Sequence, residues 1–209
     1  MTKLQVPLAD AERMAARIVE LLSPACDRIE VAGSIRRRKA SVGDIEIVAI
    51  PRYDEEWDLF GKTFARRSQL DDALDQIIAQ GIIRPGERNG ERYKQFRVSF
   101  YGLQLDLFVT DPERWGLIYT IRTGSADFSR WLVTSRQYGG ALPEKIKVRD
   151  GRLWRVGQDE PLATPEEQDV FVALGLEWIE PWERERGRWL TERPFWPRGQ
   201  PDDLGAIEL

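Results

Sequence analysis

The segment Gly43-Asp44-Ile45-Glu46-Ile47-Val48-Ala49-Ile50 constrains the fold more than any other part of the chain. Acids and isoleucines alternate, then the run becomes wholly apolar. Successive side chains of a strand point to opposite faces, so Ile45 and Ile47 face a core while Asp44 and Glu46 project side by side from the other face. The surrounding sequence supplies partners for such a strand. Residues 8–22 place Leu8, Ala11, Met14, Ala15, Ile18, Leu21 and Leu22 at helical spacing, with Pro7 at the start and Ser23-Pro24 at the close. A short strand is predicted at 28–32, followed by a turn-rich basic stretch from Gly33 to Gly43. A second helix is predicted over 67–80, stopped by Gly81. Alternation at 92–100 and 102–109 predicts two more strands, joined by a tight hairpin at Gly102. The order suggests a mixed sheet with helices on one face.

The texture changes near residue 110. Helices are predicted at 112–120, 125–138 and 166–174, with a small β element at 145–156 turning at Asp150-Gly151. Thr164-Pro165-Glu166-Glu167 reads as a helix start with Thr164 as cap, and Gly175 as the stop at the other end. From 181 onward the chain is rich in Pro, Trp and charge, and is expected to pack through its tryptophans. The fold expected is α+β: a mixed β-sheet with flanking helices, then a smaller α/β subdomain.

Composition narrows the chemistry. With no histidine among 209 residues, neither Ser-His-Asp nor Cys-His machinery nor a His-ligated zinc is possible. The lone Cys26 forms no internal disulfide, which fits a reducing compartment such as the cytoplasm. No apolar run approaches membrane-spanning length, and the first residues lack the apolar core of a secretory signal. A net charge of −4 argues against nonspecific coating of nucleic acid, yet basic residues cluster at 36–39, at Lys62, Arg66 and Arg67, and at Arg84, Arg88, Arg92, Lys94 and Arg97. The last cluster could follow a nucleic-acid backbone, although Glu87 and Glu91 interrupt it; most charge runs are simply solvated faces.

Carboxylates remain. Asp44 and Glu46 side by side repel unless a cation lies between them, and magnesium, a hard ion taking oxygen ligands and shared phosphates, suits them. Asp106, opposite the leucines of its own strand, adds a third acid. Three acids on adjacent strands are what two-metal phosphoryl transfer requires. The Gly33-Ser34 turn offers backbone N–H groups and a hydroxyl to anionic oxygens, and Arg37 with Arg36 offers guanidinium charge. Each part alone is a common structural feature, a turn or a solvated strand edge; the ordered combination is specific. Among the tryptophans, Trp131 is the best candidate for stacking on a base, against core packing as the ordinary use.

GSIRR, then GDIEI, then LDLF resembles the nucleotidyltransferase superfamily founded on DNA polymerase beta. TGSADFSRW (123–131) and PLATPEEQDVFVALGLEWIEPWERE (161–185) sharpen the resemblance to DNA polymerase family X, over roughly residues 5–186. The resemblance implies a catalytic palm at 1–110, a fingers-type nucleotide-pair-binding subdomain at 111–186 and a C-terminal extension at 187–209, a minimal form without lyase and helix-hairpin-helix domains. It implies that Asp44, Glu46 and Asp106 ligate two Mg²⁺ ions (with Mn²⁺ able to substitute), and that Asp106 also helps to activate a primer 3′-hydroxyl. Gly33, Ser34, Arg37 and Gly43 match positions that hold the triphosphate. Thr123 and Gly124 match the segment beside the incoming sugar and base, while Ser129 and Arg130 lie near the nascent base pair. Arg130, Arg92 and Lys94 are expected to touch DNA.

The chain also departs from the pattern. Glu46 replaces the second aspartate, Ile121 and Arg122 replace an aromatic pair, Gln104 stands where a basic residue is common, and Val133 replaces a template-reading arginine. The implied activity is addition of dNMP from dNTP to a primer in primed or gapped DNA, by a monomer, with short gap-filling in repair as the role. The alternatives are template-independent transfer to DNA or RNA ends, and a catalytically silent module binding DNA ends or nucleotides.

Overall fold

The computed structural model describes residues 4–57 and 63–185. The chain divides into two compact units after Asp111.

In the first unit, β1 (Val6–Pro7) leads into α1 (Leu8–Leu22), which buries Ala11, Met14, Ala15, Ile18 and Leu22 on one stripe. A 3₁₀ turn at Ser23–Ala25, with Pro24 inside it, ends the helix. The chain continues as β2 (Cys26–Val31), the single-turn α2 (Gly33–Arg36), β3 (Ser41–Val42, paired with β1), and β4 (Asp44–Pro51). The antiparallel pair β5 (Tyr53–Trp57) and β6 (Thr63–Ser68) precedes α3 (Gln69–Ala79). The Ser68 hydroxyl caps α3 by accepting the Asp71 N–H, and Gly81 leaves the helix at φ +71°. Three strands complete the unit: β7 (Ile83–Asn89), β8 (Tyr93–Val98) and β9 (Gln104–Val109).

The main sheet has the order β2-β4-β9-β8-β7, with β4 and β9 parallel and the other neighbours antiparallel. It is therefore mixed. Ile45, Ile47, Phe96, Leu105 and Leu107 share one core with Ile18 and Leu22 of α1 and Leu70 and Leu74 of α3. Alternation then sends the intervening residues to the face opposite the helices, and the register lines them up in rows. One row runs Arg84, Arg97, Gln104, Asp44; the next runs Gln95, Asp106, Glu46. The row beyond is apolar at its centre, where Tyr93, Phe108 and Val48 meet and the Tyr93 and Phe108 rings stack with centroids 5.1 Å apart.

β7 has no alternating signature and was not foreseeable from periodicity. Its Arg-Pro-Gly-Glu-Arg-Asn sequence is tolerated because it is an edge strand, interrupted by a bulge between Pro85 and Asn89.

The second unit comprises α4 (Trp115–Thr123), α5 (Ala126–Val133), a three-stranded sheet of β10 (Ile146–Arg149), β11 (Arg152–Arg155) and β12 (Pro161–Leu162), and α6 (Glu167–Leu174). Asp150 and Gly151 both take positive φ in the turn between β10 and β11, as their sequence predicts. Leu117, Ile121, Phe128, Leu132, Leu153, Val170, Phe171 and Leu174 form its core. The helix predicted at 125–138 ends at Val133, and a separate 3₁₀ turn spans Arg136–Tyr138.

Thr164 is not the cap of α6. Its N–H and hydroxyl both donate to the Glu113 carbonyl, and Glu166 caps the helix through a reciprocal box with Asp169. Gly116 makes that docking possible, since a Cβ there would lie 2.1 Å from the Glu166 carbonyl oxygen. Trp131 rests against the core with its ring 5.6 Å from Phe128, so packing is its role in the fold. A fully buried Arg184 ends the described part, its Nη1 2.6 Å from Glu167 Oε1 and its guanidinium ringed by Phe128, Phe171 and Trp178. The expected extension at 187–209 lies outside the described residues.

Candidate functional site

The connection from β2 to β4 is hooked back onto β4, because the Ala32 N–H donates to the Glu46 carbonyl at 2.8 Å. Gly33 follows at φ +62°, and a Cβ there would lie 2.0 Å from Glu46 Oε2. Only glycine meets both conditions, so the Glu46 carboxylate lies directly over the turn. The chain then closes one helical turn: Arg37 N–H donates to the Gly33 carbonyl and Lys39 N–H to that of Ser34. Arg38 completes the turn at φ 58°, an uncommon conformation outside glycine. The Ser34 hydroxyl is buried and has no hydrogen-bond partner among the described residues. A buried polar atom left in this way costs stability unless a ligand supplies the bond. Gly43 sits half-buried between β3 and β4, immediately before Asp44.

Asp106 stands beside Glu46 across the parallel β4–β9 pair, with Asp44 one step away on the same face. It is 8% exposed and tightly held. The Tyr93 hydroxyl donates to Asp106 Oδ1 at 2.6 Å, and Gln104 Nε2 donates to both carboxylate oxygens at 3.0 and 2.9 Å. Gln95 Nε2 in turn donates to the Tyr93 oxygen at 3.3 Å. Burial, and then the bond to Asp106, push the Tyr93 phenol up to about 12, so it remains a proton donor to the carboxylate at neutral pH. Tyr93 and Gln95 escaped the sequence reading. The signal was there in the alternation of 92–100, which puts both on the face opposite Phe96 and Val98.

The donor chemistry and the strand positions of the three acids fit a hard divalent cation. Their side chains, with Glu46 turned over Gly33 and Asp106 held by Tyr93 and Gln104, do not converge into a three-ligand cluster among the described residues.

The other predicted residues are distributed as follows. Thr123, Gly124 and Ser129 meet at the α4–α5 junction of the second unit. Thr123 is buried, Gly124 packs against Phe128, and the Ser129 hydroxyl donates to the Ile121 carbonyl at 2.6 Å, tying the two helices together. Arg130 is exposed on α5. Arg92 is exposed in the turn before β8. Lys94 points to the helix face of the sheet, where its Nζ lies 3.0 Å from Asp71 and 3.1 Å from Asn89. It is thus on the face opposite Asp106.

Residues 118–185 match the family model of the DNA polymerase beta thumb. The chain is 28% identical to DNA polymerase lambda of Rattus norvegicus over 189 residues, covering 85% of this chain and 32% of that protein. It is 34% identical to DNA nucleotidylexotransferase of Xenopus laevis over 110 residues, covering 52% of this chain and 19% of that protein. The chain thus spans about a third and about a fifth of the lengths of these relatives. The mixed sheet with helices is consistent with a polymerase beta-like fold. Together these similarities support a likeness to the family X polymerases.

Proposed function

We propose that this chain transfers dNMP from a dNTP to the 3′-hydroxyl of primed or gapped DNA, releasing pyrophosphate, with short gap-filling in DNA repair as its role. The observation that supports this most is the placement of Asp44, Glu46 and Asp106 at neighbouring positions of one sheet face, beside a glycine turn that Glu46 overlies. Asp44, Glu46 and Asp106 would hold two Mg²⁺ ions, or Mn²⁺ in their place. Such ions supply charge neutralisation and an acidified hydroxyl.

The chain's own groups do the rest. Gly33 lets the backbone approach a triphosphate, Ser34 donates its hydroxyl to a phosphate oxygen, and Arg37 adds guanidinium charge, with Gly43 leaving room ahead of Asp44. Tyr93 and Gln104 hold the Asp106 carboxylate in one orientation beside the acceptor hydroxyl. Thr123, Gly124, Ser129 and Arg130 are proposed as the second unit's contacts to nucleotide and DNA, and Arg92 as a phosphate contact of the first. We take the protein to act as a monomer in the cytoplasm.

A second reading, template-independent addition to DNA or RNA ends, is favoured by the similarity to DNA nucleotidylexotransferase and by Val133 in the place of a template-reading arginine. Primer extension separates these readings. Wild type should extend a primer at a one-nucleotide gap with the complementary dNTP, and Asp106→Asn should not, while both bind the DNA alike. Extension of a single strand without template would establish the second reading. Failure on every DNA substrate would overturn the DNA polymerase reading and leave another acceptor or a silent binding module.

A further inference from the structure

Beside the acidic row, the same sheet face carries an arrangement that fold stability does not explain. Arg84 of β7 stands directly opposite Arg97 of β8, and Arg97 directly opposite Gln104 of β9. Like charges at directly opposed positions destabilise a strand pair. Both arginines are exposed, and neither joins an ion pair among the described residues. Arg97 is not left to wander, because its Nη1 donates to the Gly102 carbonyl at 3.3 Å, against the β8–β9 turn. That turn lifts two aromatic rings into solvent: Phe100 is 96% exposed and Tyr101 51% exposed. Gly102, at φ +65°, makes the tightness of the turn possible.

Two guanidinium groups ask for an anion, and rings at the same turn ask for a flat apolar partner. A single nucleic-acid strand offers both at short spacing, phosphates for the arginines and base faces for the rings. A free phosphate would use only the first, and an uncharged apolar partner only the second. Position matters too. Arg97 is the diagonal neighbour of Asp106, a Cα separation of about 7–8 Å in an antiparallel pair.

We propose that Arg84, Arg97, Phe100 and Tyr101 form a platform that holds the acceptor strand ahead of its 3′ end, as single-stranded nucleic acid, on the approach to Asp106. This deepens the second reading above, transfer to a single-stranded end, and rests on it for the identity of the acceptor. The platform replaces the interrupted basic run 84–97 with a selected part of it: the structure turns Lys94 to the opposite face and keeps Arg84 and Arg97 on this one.

The test is fluorescence anisotropy of a labelled single-stranded oligonucleotide with the full chain in the absence of divalent metal, at several salt concentrations. Wild type is compared with Arg84→Gln/Arg97→Gln and with Phe100→Ser/Tyr101→Ser. All four positions are solvent-facing or at a turn, and circular dichroism checks that each variant is folded. The arginine variant should bind about tenfold more weakly, with a salt slope lower by about 1.4, corresponding to two lost phosphate contacts. The aromatic variant should also bind about tenfold more weakly, with the slope unchanged. Equal affinity and slope in all three proteins overturn the platform. The two proposals fail separately: if wild type extends primers while both variants bind as it does, the platform is wrong and nucleotide transfer stands. If wild type extends nothing while both variants lose binding, the platform stands and nucleotide transfer is wrong.

Discussion

The two units of this molecule treat buried and half-buried charge in opposite ways. In the second unit, Arg184 is fully buried, yet Glu167, the Ile179 carbonyl and three aromatic rings surround it, and Glu167 also accepts from Thr120. The Arg184 Nη1 and Nε are engaged by Glu167 and by the Ile179 carbonyl. On the polar sheet face of the first unit, three carboxylates stand at neighbouring positions and two arginines face each other. Burial alone does not distinguish the two arrangements, since Asp106 and Glu167 are both buried.

Substitutions that break this contrast should differ in what they damage. The largest stability loss is expected from Glu167→Ala, which leaves Arg184 buried and uncompensated, at about 3–5 kcal/mol; thermal unfolding would register it, and an unchanged melting temperature would show that the cage carries no strain of charge. Asp106→Asn is expected to leave melting nearly unaltered while lowering turnover by on the order of 10²–10⁴-fold. Steady-state primer extension beside a melting curve reads both.

Gly33→Ala is a smaller and mixed case. The positive φ costs roughly 1–2 kcal/mol, and the added methyl displaces the Glu46 carboxylate, so nucleotide affinity should fall along with stability. Isothermal titration with a dNTP and metal would separate the two losses.

Tyr93→Phe is the mildest. Folding raises the phenol from its ordinary value of 10.0 to about 12, which means the native state favours the protonated, donating form. That contribution is fully present below pH 10 and is lost as pH rises from there toward about 12. Wild type should therefore lose stability across that alkaline window more steeply than the phenylalanine variant, as followed by denaturant unfolding at stepped pH. At neutral pH the variant should show a lower kcat with little change in stability, because the Asp106 carboxylate loses one of the donors that orient it.

Much of this was readable from residue order. The amphipathic stripe of α1, the acid–isoleucine alternation of β4 and the Asp150-Gly151 turn are local signals that tertiary structure had no reason to override. Other features depend on pairing that no local pattern encodes. β7 is held by an edge partner despite Pro85 and Gly86, and the direction of Lys94 follows from its register against Leu107. Thr164 has a good cap side chain, but the close approach at Gly116 commits its hydroxyl to Glu113 and passes the cap to Glu166. The three acids were legible as residue types at strand spacing. That Tyr93 and Gln104 converge on Asp106 required knowing which strands are neighbours.

The central claim, that Asp44, Glu46 and Asp106 act together as a cation site, is tested most directly by Mn²⁺ titration followed by electron paramagnetic resonance, with a dNTP present. Wild type, Asp44→Asn and Asp106→Asn would be compared, each checked for folding by circular dichroism. Wild type should bind Mn²⁺, with binding weakened at least tenfold in each variant. Indistinguishable Mn²⁺ binding in all three proteins would contradict it.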